Sequence, residues 1–130
     1  MGLLQHDLDY LDRRDFTYSV TSEKNMVCVV ISPYSLPVGF DRTQADLLLR
    51  LSPGYPDISP DMWWFDPAVK LADGQSLPAT NSIEHYLGRS WQRWSRHFNP
   101  GQWQSGIDSL ESFFALINGE LQRSVPENMR

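Results

Sequence analysis

One histidine stands where a proton could be moved. His97 closes the run Trp91-Gln92-Arg93-Trp94-Ser95-Arg96-His97, just before the stop signal Asn99-Pro100-Gly101. Imidazole titrates near neutrality, so histidine is the side chain best suited to take a proton from a hydroxyl at physiological pH. Ser95 offers such a hydroxyl two residues earlier. Serine is a poor nucleophile until a base removes its proton. On a helix, residues i and i+2 point to different faces, so Ser95 and His97 act together only where the helix has ended. His97 has a second reading, as a helix-terminal residue beside the C-terminal dipole. The sole cysteine, Cys28, sits inside Met26-Val27-Cys28-Val29-Val30-Ile31. A small buried hydrophobe is expected there, since a reactive thiolate needs partial exposure and nearby cations. His6 and His85 are isolated, and no His/Cys spacing announces a metal site. No glycine-rich phosphate loop occurs, so neither a cofactor nor ATP use is expected of this chain.

The elements that must position these groups follow from periodicity. Leu3, Leu4, Leu8 and Leu11 recur at helical spacing, with Asp7, Asp9 and Asp12 on the outward side. Residues 16–20 and 26–31 read as strands joined by the turn Thr21-Ser22-Glu23-Lys24-Asn25. The second strand is apolar on both faces and therefore central or covered. Residues 45–51 and 62–65 are the third and fourth strands. Between them Pro53, Pro56 and Pro60 forbid a regular ladder, because proline has no N–H to donate. Gly54 supplies a position where positive φ costs little. Short connections favour an antiparallel meander. Residues 67–80 are irregular, with a turn at Asp73-Gly74. Residues 82–97 are expected as helix, interrupted at Gly88, with Trp91 and Trp94 sharing one face at i, i+3 spacing. That face is either core or an exposed binding platform. Arg89, Arg93 and Arg96 then form a solvated basic face. A last helix carries the stripe Ile107, Leu110, Phe114, Ile117 and Leu121, with an N-cap at Ser105. The reading is one domain over residues 1–123 and a flexible tail over 124–130.

Tyr55, Pro56, Pro60 and the Trp63-Trp64-Phe65 strand resemble the centre of the ubiquitin-conjugating enzyme (E2) fold. Together with Trp91-x-x-Trp94-Ser95-Arg96-His97 and Trp103, the chain resembles the bacterial E2-like proteins that lack the usual catalytic cysteine. The resemblance runs from about Leu8 to Leu121. It implies an α+β fold: a short N-terminal helix, a four-stranded antiparallel meander and C-terminal helices. It implies a role as the E2-like component of a bacterial ubiquitin-like modification pathway. The partners would be an E1-like adenylyltransferase and a ubiquitin-like protein. In ordinary E2 enzymes the segment after the fourth strand carries a His-Pro-Asn tripeptide and the thioester cysteine; here residues 66–79 contain neither cysteine nor histidine. Three readings stay open: Ser76 as an oxygen nucleophile near the cysteine's usual place, Ser95 with His97, or a non-catalytic adaptor. Tyr55, Trp91 and Trp94 are the candidate partner-binding residues.

Composition agrees with a globular domain. The 130 residues are 41% hydrophobic and 21% charged, with five tryptophans and a net charge of −5. A chain of this length buries about two thirds of its unfolded surface. Nucleic-acid affinity needs clustered Lys and Arg, so the acidic balance excludes that class. No run approaches transmembrane length and no secretory signal is visible, so a cytoplasmic location away from the membrane is expected.

Overall fold

The computed structural model describes residues 3–129. Helix α1 (Gln5–Arg13) is followed by strands β1 (Tyr18–Glu23), β2 (Met26–Ser35), β3 (Gln44–Leu51), β4 (Trp63–Asp66), β5 (Ser82–Tyr86) and β6 (Arg89–Trp94), then by helix α2 (Leu110–Ser124) and a 3₁₀ turn (Glu127–Met129). All neighbours are antiparallel and the sheet order is β1-β2-β3-β4-β6-β5. The sheet has six strands where a four-stranded meander is expected from the sequence.

The two extra strands lie where the sequence reads as helix, over 82–97. They form a hairpin turned at Leu87 (φ 56°) and Gly88 (φ 75°). Both central residues lie at positive φ, as a two-residue type I′ turn requires. This overturns the helical reading of Trp91 and Trp94. Odd spacing along a strand puts side chains on opposite faces, and the two tryptophans enter different cores. Both are buried, at 1% and 0% exposure, so neither is an exposed platform. The basic face disappears for the same reason. Arg89 binds Asp46 and Asp66 at 2.9 and 2.7 Å, Arg93 binds Glu84 at 2.9 Å, and Arg96 faces Glu120 at 3.7 Å.

Strand alternation builds the two cores. Val27, Val29, Ile31, Leu47, Leu49, Trp63, Phe65 and Trp94 face the helices and pack on Leu11, Phe113, Phe114, Ile117 and Leu121. Cys28, Val30, Leu48, Trp64 and Trp91 face the other way. Among the described residues no helix packs on this second cluster. The β5–β6 hairpin curls over them instead: Tyr86 meets the Trp64 ring edge-on at 5.6 Å, and the Trp91 indole N–H donates to the Tyr86 carbonyl at 3.0 Å. The hairpin tip reaches the far side of the sheet, where the Leu87 N–H donates to the Glu23 carboxylate at 3.0 Å. Lys24 sits over the Tyr86 ring. That cover explains why β2 and β3 are apolar on both faces.

Two corrections concern helices. Asp7 faces inward and is fully buried. It accepts the Tyr55 hydroxyl at 2.7 Å and the Leu110 N–H, at the start of α2, at 3.2 Å. An inward carboxylate there satisfies a donor that the helix cannot. Helix α2 begins at Leu110 and not near Ile107, which is 75% exposed. Gly106 (φ 83°) and the Gln104 N–H bonded to Asp108 hold a separate turn before it. After α2, in the segment expected as a tail, Val125 is buried and Met129 packs on the main core; Arg130 falls outside the described residues.

Candidate functional site

The connection between β3 and β4 starts the site. Tyr55 N–H donates to Ser52 and Ile58 N–H to Gly54, closing consecutive turns over the proline-rich stretch. An added Cβ at Gly54 would meet the Ile58 side chain, which is exposed and would have to turn away. The chain then passes Pro60 and Asp61 and enters β4 through Met62, a non-glycine residue at φ 62°. Trp63 pairs with Trp94, so the residues before β4 lie beside the residues after β6. Met62 N–H donates to the Arg96 carbonyl at 3.0 Å.

After β6 the chain stays extended, and alternation continues. Trp94, Arg96 and Phe98 turn toward the helices: Arg96 stacks on Trp94 and faces Glu120, and Phe98 packs between Trp103 and Phe113. Ser95 and His97 turn the other way. In an extended chain i and i+2 share a side, which the helical reading denied them. Ser95 Oγ lies 3.3 Å from His97 Nε2. The other ring nitrogen, Nδ1, bonds Asp61 Oδ1. With the ring proton on Nδ1 donated to the carboxylate, Nε2 is left to accept from the Ser95 hydroxyl. His97 and Asp61 are about half exposed, at 54% and 53%, so an incoming group reaches them. Ser95 N–H donates to the Ala79 carbonyl at 3.0 Å, which ties this stretch to the end of the 66–79 segment.

Asp61 was not among the residues that sequence spacing singles out. Its link to His97 spans 36 positions. Only the pairing of β4 with β6 reveals it, and that pairing depends on recognising the hairpin. Asp61 also borders a groove of about 280 Å³ between the hairpin and the 58–62 connection, walled by Met62, Trp64 and Tyr86 with Arg50 at its side.

The other candidates fall elsewhere. Ser76 is exposed and makes no side-chain hydrogen bond among the described residues. Tyr55 is half-buried, bonded to Asp7 and packed near Trp103. Burial, reinforced by the hydrogen bond to Asp7, pushes its phenol above the usual range. Cys28 is fully buried, and burial pushes its thiol up against a smaller opposing effect of Arg50. His85 pairs with Ser90 at 3.0 Å on the hairpin, and His6 lies 3.4 Å from Asp7. Among the described residues no three His, Cys, Asp or Glu side chains gather as metal ligands, and no helix is long and apolar enough to cross a membrane.

A family model described as "Prokaryotic E2 family E" matches residues 3–124. No curated protein and no solved structure matches.

Proposed function

The chain belongs to the prokaryotic E2 family E, and from that premise we propose that it is the E2-like component of a bacterial ubiquitin-like modification pathway. It receives a ubiquitin-like protein activated by an E1-like adenylyltransferase and presents it for transfer, in the cytoplasm. The observation that carries the reading is the accessible hydrogen bond between Ser95 Oγ and His97 Nε2, 3.3 Å long, on this fold. A base held on a hydroxyl supports oxygen chemistry where ordinary E2 enzymes use a thiol. Cys28 is unsuited to replace that thiol, being sealed under the hairpin.

The same sealed thiol also favours a second reading, a non-catalytic adaptor that binds the ubiquitin-like protein or the E1-like enzyme without reacting. One paired experiment separates the two. The E1-like enzyme, ATP and the ubiquitin-like protein are mixed with parent protein or with His97→Ala, and the melting temperature of each is recorded. The catalytic reading predicts a covalent adduct whose formation drops by about 10²–10⁴-fold in His97→Ala, the usual worth of general acid–base help, with the melting temperature little changed. Binding without any adduct, equal in parent and variant, supports the adaptor.

A further inference from the structure

We propose that Asp61, His97 and Ser95 form a serine-type acyl-transfer relay, with Ser95 Oγ as the acylated atom and an activated carboxyl group, a thioester or an acyl phosphate anhydride, as the substrate class. The identity of the natural donor rests on the E2-like reading above; the chemistry does not. Three groups occupy the positions the reaction needs: hydroxyl to Nε2 at 3.3 Å, and Nδ1 to carboxylate. Nucleophile, base and orienting group in such a chain are recognised by geometry and role, not by sequence order.

The backbone holds the relay from both sides. Met62 (φ 62°) and Ala79 (φ 57°) are non-glycine residues in the left-handed region. Each makes one backbone hydrogen bond to the Ser95–His97 segment, through Arg96 O and Ser95 N, both at 3.0 Å. Such residues persist where surrounding structure fixes them, with a tendency to cluster at working sites. The Arg96 ion pair with Glu120 and the burial of Trp94 fix the alternate side chains, so Ser95 and His97 are presented outward from an anchored strand end.

The step balances without an added reagent. Ser95 Oγ adds to the donor carbonyl carbon as its proton passes to His97 Nε2. The carbon–sulfur or carbon–oxygen bond to the leaving group then breaks, and the leaving group departs with the proton from Nε2. The acyl group ends as an oxyester on Ser95. Asp61 touches neither substrate nor reacting atoms. It is a positioning residue that fixes the His97 tautomer and steadies the imidazolium.

A small activated ester tests this apart from any pathway. The full chain is incubated with p-nitrophenyl acetate; p-nitrophenolate release is followed and the acetyl group is located by peptide mapping. The expected result is acetylation at Ser95, lost in Ser95→Ala and His97→Ala. Asp61→Asn should slow it by up to about 10⁴-fold, through the wrong His97 tautomer, and Asp61→Glu should recover part of the rate, which a merely structural role would not produce. Asp61 is half exposed, so melting temperatures should stay close to the parent's. Acetylation that misses Ser95, or an Asp61→Asn rate equal to the parent's, overturns the relay. Acetylated Ser95 without transfer of a ubiquitin-like protein leaves the relay standing and removes the E2-like role; transfer that persists in Ser95→Ala does the reverse.

Discussion

Replacing Tyr55 by Phe separates a structural tyrosine from a binding one. Its hydroxyl donates to the buried carboxylate of Asp7 at 2.7 Å, and the other carboxylate oxygen accepts the first N–H of α2. Tyr55→Phe removes that donor and leaves Asp7 Oδ2 buried without it. A hydrogen bond to a charged group contributes about 1.5–3 kcal/mol. Unfolding entropy near the midpoint is about 2.1 cal/mol/K per residue, or roughly 0.27 kcal/mol/K for this chain, so the melting temperature should fall by about 5–11 °C. Thermal unfolding followed by tryptophan fluorescence reads the change, with Asp7→Asn as companion. The two variants share one bond, so the double variant should lose less than the sum of the singles. An unchanged melting temperature in Tyr55→Phe, with binding of a ubiquitin-like or E1-like partner lost, would count against a structural hydroxyl and return Tyr55 to the partner-binding role expected from sequence.

Three further outcomes are expected. Glu23→Ala should release the hairpin tip, because the Glu23 carboxylate holds the Leu87 N–H. Cys28 under the hairpin should then react with a thiol reagent much faster than in the parent, and equal labelling rates would count against the hairpin as a cover. Gly39→Ala should destabilise by about 1–3 kcal/mol in chemical unfolding, since such left-handed positions are strained for other residues: Gly39 has φ 113°, and the new Cβ would lie 2.3 Å from Val125 Cγ1. A neutral result would mean that Val125 is not docked there. Stability should also fall above about pH 10. Burial holds the phenols of Tyr34 and Tyr55 protonated beyond their usual range, so the unfolded chain gives up those protons first and is favoured as pH rises. A flat stability curve from neutrality to pH 11 would contradict their burial.

The first half of the fold was legible because each element there is built from local signals. The apolar runs Leu47-Leu48-Leu49-Arg50-Leu51 and Met26-Val27-Cys28-Val29-Val30-Ile31 report pleated strands, both covered on both faces. The prolines of the 53–60 connection report its break. The hairpin was not legible for a physical reason. Leu87-Gly88 lacks the Asn or Asp common in type I′ turns, and Trp91-x-x-Trp94 mimics a helical face when both sides of a strand are buried. The helix reading then hid the site. It put Ser95 and His97 on different faces and gave no cause to place Asp61 near either. The inward turn of Asp7 leaves no local signal, because a carboxylate facing a core is detected only through its partners, Tyr55 and the start of α2, which lie 48 and 103 positions away.

The most direct test of the proposed role is the chemistry of the adduct formed with the E1-like enzyme, ATP and the ubiquitin-like protein. The account predicts an adduct that survives thiol reductants, is cleaved by mild base as an oxyester, and maps to Ser95. An adduct released by reductant and mapped to Cys28, or a full adduct yield in Ser95→Ala, would contradict it.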